Sequence, residues 1–177
     1  MASENYFQLF GLPQQYALDP VALEETWRTL AARVHPDRFA VASASERRVA
    51  MQWASTINEA HRILKAPLQR ARYLCELSGC DVQSESNTRM DNAFLMLQMQ
   101  WREQLDEARE SGRPHDLDAL QAQVDDARRD IAERVQALID GQHDYEHASQ
   151  KVREWMFIEK IAQEIQSSRN DLTDRRH

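Results

Sequence analysis

From Leu117 onward an apolar residue returns every three or four positions, through Leu120, Val124, Ala127, Ile131, Val135 and Leu138. An α-helix brings residues at those spacings to one side of its axis. A stripe that long has to be covered, so the chain around it must supply partner helices. Two are visible. Phe94, Leu97, Trp101, Leu105 and Ala108 share one face of a segment running from about Asp91 to Glu110, and Gly112 and Pro114 break that segment. Val152, Trp155, Ile158, Ala162 and Ile165 share a face of a third segment, which follows Gly141. Short connections between long helices make neighbours antiparallel, which predicts a three-helix bundle over residues 88–170 and a frayed tail over 171–177.

The first half reads as a separate, smaller helical unit. Ser3 can cap a short helix carrying Tyr6, Phe7, Leu9 and Phe10, which Gly11 and Pro13 close. Asp19 before Pro20 is a capping carboxylate followed by a proline suited to the first helical position. Leu23, Trp27, Leu30 and Val34 then line one face until Pro36 ends the helix. A third helix starts near Ser45, carries Val49, Trp53, Ile57, Ala60 and Leu64, and stops at Pro67. All four tryptophans fall on such stripes and are read as packing. Tyr73–Leu77 is expected to bridge into a polar, turn-rich stretch from Gly79 to Asn87, which gives a unit over 1–72 and a linker over 73–87. With only 4 Gly and 5 Pro in 177 residues, and many strong helix formers, the chain is expected to be all-α.

Charge is unevenly divided. The first 70 residues hold eight Lys+Arg against seven Asp+Glu, so the remainder carries the whole of the −7 net charge and more. An acidic majority argues against a nucleic-acid partner, because phosphates need clustered cations. No apolar run approaches the length needed to cross a bilayer. Cys75 and Cys80 are four residues apart, without a C-x-x-C pair or further ligands nearby, and are read as free thiols in a reducing cytoplasm. His143 and His147 lack a third ligand, so they are read as an exposed polar stretch rather than a metal site. No metal or other cofactor is expected. Four scattered glycines build neither a P-loop nor a G-x-S-x-G turn, so an enzyme is not expected.

His35-Pro36-Asp37 stands between two helices, where proline fixes the backbone and a loop tip presents the imidazole and carboxylate outward. Trp27-Arg28-x-Leu30-Ala31-x-Arg33-Val34 precedes it, Ile57-Asn58-Glu59-Ala60-His61-x-Ile63-Leu64 follows, and Tyr6-Phe7-x-Leu9-Phe10-Gly11-Leu12 opens the chain. Together these segments resemble the J-domain of the DnaJ family over residues 4–70. The resemblance implies activation of a DnaK-type chaperone's ATPase, with His35, Pro36 and Asp37 docking on that chaperone and Arg28, Arg33 and Arg38 supplying favourable charge. The second helix also carries Glu24 and Glu25.

On a helical wheel, Leu95, Met96 and Met99 fall on the side opposite the Phe94/Trp101 face, near Glu103 and Asp106, and Phe157 points away from the core of its own helix. Methionine suits an adaptable binding surface. The J-domain pattern combined with Pro67-x-x-Arg70-Ala71-x-Tyr73-Leu74 and Phe94-Leu95-Met96 resembles the HscB family, co-chaperones of iron–sulfur cluster assembly, over nearly the whole chain. That resemblance implies an all-α architecture of a J-domain followed by an antiparallel three-helix bundle. It implies the chaperone HscA and the cluster scaffold IscU as partners, with the scaffold held by Leu95, Met96, Met99, Gln100, Glu103 and Phe157. Gln100 stands where the family pattern leads one to expect an acid. A generic J-protein holding unfolded clients on the Leu95/Met96/Met99 face is the second expectation, and a helical adaptor indifferent to His35 the third.

Overall fold

A computed structural model describes residues 5–82 and 90–174. Its regular elements are all helical, as the periodicities predict: α1 (Tyr6–Phe10), α2 (Pro20–Arg33), a 3₁₀ turn (Pro36–Phe39), α3 (Ala44–Lys65), α4 (Pro67–Leu77), α5 (Asn92–Ser111), α6 (Pro114–Gln136), a π-helical turn (Ala137–Gln142) and α7 (Tyr145–Asp174). The chain divides into two compact units, Met1–Leu74 and Cys75–His177.

In the first unit, local chemistry sets the helix ends. Ser3 lies outside the described residues, and α1 is capped instead by Asn5, whose side chain accepts from the Gln8 N–H while Gln8 answers to the Asn5 N–H. Asp19 caps α2 by accepting from the Val21 N–H, with Pro20 as the first helical residue. Ser43 and Glu46 form the same reciprocal box at the start of α3. Pro67 does end α3, but it also opens α4, so Tyr73–Leu77 is helical rather than a bridge. Proline lacks only an N–H that the first turn of a helix would leave unpaired anyway, so one residue serves both purposes. Residues 83–87 of the expected linker lie outside the described residues. Tyr73 then returns to the chain's first helix: its hydroxyl accepts from the Tyr6 N–H at 3.0 Å, and its ring stacks on Tyr6 and Phe7.

The core of this unit gathers Phe7, Phe10, Leu23, Ile57, Ala60, Leu64, Ala71 and Leu74. Trp53 and Val49 do not join it. Trp53 is 46% exposed, and Val49 is exposed as well, although both lie on the stripe that carries Ile57 and Leu64. The covered side of α3 still reaches Ala50, nearer the loop than Trp53 and buried, so it turns away from Val49 and Trp53 rather than ending before them.

The second unit is an up-down-up bundle. Arg128 of α6 pairs with Glu159 of α7 at 2.8 Å and Asp118 with Arg169, so those two helices run antiparallel. Arg102 pairs with Glu164 and Arg109 donates to the buried Ser168, which makes α5 and α7 parallel. Gly112 ends α5 in the left-handed region (φ 64°), where its N–H reaches the Ala108 carbonyl and a Cβ would be strained. The α6 stripe buries Leu117, Leu120, Val124, Ile131 and Val135, then continues through Ile139 rather than Leu138. The π-helical turn carries the chain past Gly141, and His143 takes the left-handed position (φ 54°) that ends it. The expected frayed tail is also revised, since α7 continues to Asp174. Ser168 and the Arg169–Asp118 pair tie its last turns to α5 and α6. Residues 175–177 lie outside the described residues.

These burials set a contrast that denaturant unfolding of the full chain can read. Ile57→Ala should lower the stability of the first unit by about 2–5 kcal/mol, because it leaves a cavity among covered side chains. Trp53→Ala should cost about 0.5 kcal/mol or less, the range of surface substitutions. Equal losses at the two positions would contradict the exposed placement of Trp53.

Candidate functional site

Two exposed surfaces carry chemistry that the packing does not use, one in each unit. The first is the loop between α2 and α3. His35 caps the 3₁₀ turn, and its Nδ1 accepts from the Asp37 N–H at 3.3 Å while its carbonyl accepts from the Arg38 N–H at 3.0 Å. The same Nδ1 stands 3.4 Å from Asp37 Oδ2, and an imidazole in either neutral tautomer keeps one N–H to donate. The Asp37 side chain is 90% exposed. The loop therefore offers a donor and a carboxylate on a backbone that Pro36 holds fixed.

The three arginines expected to serve this loop are all exposed. Arg28 stands 4.0 Å from Glu24, whereas Arg33 and Arg38 enter no ion pair among the described residues. They do not form one row. At about 100° per residue, Arg28 and Arg33 are about 140° apart around α2.

The rest of the motif holds α2 onto α3. Trp27 Nε1 donates to Asn58 Oδ1 at 3.0 Å, and the Trp27 ring stacks on His61 at 4.5 Å. His61 Nε2 lies 3.1 Å from Glu24 Oε2, which also faces Lys65 at 3.5 Å. Asn58 and His61 thus set the spacing of the hairpin that presents the loop. The hydrogen bond from His61, followed by the nearby Lys65 charge, holds the Glu24 carboxyl below its ordinary 4.5. A carboxyl depressed on folding stabilises the fold above its unfolded pKa, and that contribution is lost as pH falls through the lower folded value. Glu24→Gln should therefore lower the thermal midpoint at pH 7, and its difference from wild type should close as the pH is taken from 5 to 3. A constant difference across that range would contradict the pairing.

The second surface lies on α5. Met96 and Met99 are each 72% exposed, and Leu95 is exposed too. Met96, Met99, Gln100 and Glu103 line one shallow depression, which Asp106, Glu107 and Glu110 extend toward the end of the helix. The expected set omitted these last three acids, although positions three, four and seven beyond Glu103 on one helix face would have found them. The structure does not bring the whole expected set together. Phe157, 42% exposed, lines a separate small cavity with Gln98, Trp101, Arg102 and Ile161. Apolar anchors that grade into carboxylates suit a partner with an apolar patch bordered by cations.

The cysteines offer little chemistry. Burial pushes the Cys75 thiol up to about 12, so at neutral pH it is a protonated core group. Among the described residues no three His, Cys, Asp or Glu side chains are grouped to hold a metal. No helix among them is long and apolar enough to cross a membrane.

Comparison with known proteins places both surfaces in context. Residues 90–166 match the family model described as the HSCB C-terminal oligomerisation domain. The Co-chaperone protein HscB homolog of Bordetella pertussis is 58% identical over 168 residues, which cover 95% of this chain and 98% of the relative. The solved structure of chaperone HscB from Vibrio cholerae superposes with a TM-score of 0.82 at 37% identity, covering 95% of this chain and 99% of that one. Human co-chaperone HscB shares the fold, with a TM-score of 0.88 at 24% identity over 96% of this chain and 84% of its own. With a J-domain ahead of a helical bundle and this identity along nearly its entire length, the chain belongs to the HscB family of co-chaperones.

Proposed function

We propose that this co-chaperone works as a bridge in iron–sulfur cluster assembly. The first unit stimulates ATP hydrolysis by a specialised DnaK-type chaperone, HscA, and the second brings that chaperone the cluster scaffold IscU. The observation that carries this reading is the presence in one chain of two unused surfaces of different chemistry. One is a fixed His-Pro-Asp turn with the exposed Arg33 and Arg38 beside it, which enter no ion pair among the described residues. The other is an exposed methionine face bordered by acids.

Each surface suits its assigned partner. Asp37 can take a bidentate hydrogen bond from an arginine, and Arg33 and Arg38 can be recruited without breaking an ion pair of their own. Rim charges of this kind steer encounter more than they add affinity. On α5, Leu95, Met96 and Met99 supply apolar contact, and Glu103 with its acidic neighbours sets orientation. Gln100 contributes polarity without charge. Phe157 adds a second apolar contact from α7. Because the two surfaces belong to different units, the scaffold and the chaperone can be held by the same molecule. The chain itself then performs no chemistry: hydrolysis belongs to the chaperone and the cluster to the scaffold. Such a role places it in the cytoplasm.

Titration calorimetry with the folded scaffold tests the second half of this reading. A Met96→Ala/Met99→Ala double variant should bind about 10- to 100-fold more weakly, the loss expected of two truncated interface anchors. His35→Gln should bind the scaffold as wild type does. Retained affinity in the double variant, or equal binding of an unfolded polypeptide, would favour a generic client-holding surface instead.

A further inference from the structure

The thioethers on the outer face of α5 carry a chemistry that apolar contact does not use. The chain has six methionines. Met90 and Met156 are half-buried, and Gln98 Nε2 stands 3.9 Å from the Met90 sulfur. Among the described residues the exposed ones are Met51, at 68%, and Met96 and Met99, each at 72%. Met51 belongs to the first unit, whereas Met96 and Met99 stand three positions apart on α5 and line one depression. Sulfurs so placed meet any small oxidant in solution. Leucine, which stands beside them as Leu95, would give similar apolar area and helix propensity without that reactivity.

The other groups lining the depression decide what oxidation does to this face. A thioether packs as an apolar group, whereas a sulfoxide carries a polar oxygen that needs a donor once water is removed. Beside the methionines the depression is lined by Gln100 and by four carboxylates, from Glu103 to Glu110. Carboxylates accept only, so Gln100 is the one side chain of that lining with N–H groups to give. It lies four residues beyond Met96 on the same side of the helix, but the residue four beyond Met99 is Glu103. Two sulfoxides therefore cannot both be satisfied from this lining, and an apolar patch laid over them brings no donor.

We propose that Met96 and Met99 are a peroxide-sensitive modification site, and that their oxidation to the sulfoxide releases the scaffold. The proposal rests on the function proposed above and adds a chemical switch to the same face. Each thioether sulfur takes one oxygen of hydrogen peroxide. The O–O bond breaks, an S–O bond forms, the sulfur gives up two electrons, and the second oxygen leaves as water. Methionine sulfoxide reductases return the thioether by oxidising a dithiol to a disulfide with release of water, so the change is reversible. Iron(II) and oxygen generate peroxide, which places the reagent in the setting of cluster assembly.

The test treats the full chain with hydrogen peroxide and locates the oxidised methionines by peptide mass mapping. Met51, Met96 and Met99 should gain an oxygen before Met90 and Met156 do. Calorimetry with untreated folded scaffold should then show binding weakened about tenfold or more, the effect of an acceptor buried without a donor. The thermal midpoint should stay that of untreated protein, and a sulfoxide reductase should restore the affinity. Met51→Leu should keep the full peroxide effect. In Met96→Leu/Met99→Leu, whatever its own starting affinity, treated and untreated protein should bind alike. Oxidation of Met96 and Met99 no sooner than Met90 and Met156 overturns the site, as does oxidised wild type that binds as tightly as before. A peroxide effect that persists in the double variant overturns it too. Binding by untreated protein reads the proposed function and its change on oxidation reads the switch. Untreated wild type that fails to bind removes both.

Discussion

A helix in a bundle can bury one stripe, and α5 carries large apolar residues well outside the stripe it buries. Phe94, Trp101, Leu105 and Ala108 face α6 and α7, which leaves Leu95, Met96 and Met99 in solvent. No repacking of α5 within the bundle can cover both sets, because they lie on opposite sides of its axis. The protein therefore carries a persistent apolar face bordered by Glu103, Asp106, Glu107 and Glu110. The carboxylates keep that face hydrated and set the charge of whatever covers it. Everything proposed for the second unit follows from this surplus.

The first unit solves a different problem, which is to hold a short loop rigidly at the end of two helices. Pro36 fixes the backbone and His35 closes the turn onto the Asp37 N–H. Trp27, Asn58, His61 and Glu24 lock α2 against α3 some way back from the tip. The tip itself is left with thin packing, as the exposure of Val49 and Trp53 shows. A stiff base and an uncluttered end lower the ordering cost of any contact the loop makes.

Much of this was legible in the sequence because helical periodicity and loop motifs are local. The stripes on α5, α6 and α7 and the opposed faces of α5 follow from spacing, and the cap at Asp19 from a carboxylate before Pro20. The differences arose where the outcome depends on what lies across from a residue. Trp53 has the right spacing for the core, but the covered side of α3 passes through Ala50 instead. Pro67 reads as a stop, yet the same ring starts α4. The exchange of Leu138 for Ile139 comes from a π-helical turn that no simple period anticipates. The polar end of α7 is held by Ser168 and by Arg169 pairing with Asp118, contacts spanning 50 or more residues of sequence. On the surface of α5, the wheel located the methionine face but could not show that Phe157 opens onto its own cavity beside Trp101.

The central claim is that one chain couples two partners, and coupling is measurable as non-additivity. The direct measurement is steady-state ATP hydrolysis by the HscA-type chaperone, with this protein and the scaffold added separately and then together. The account predicts stimulation by the pair well above the sum of the two alone, and loss of that synergy in His35→Gln. Stimulation by this protein that is the same with and without scaffold, or no stimulation, would contradict it.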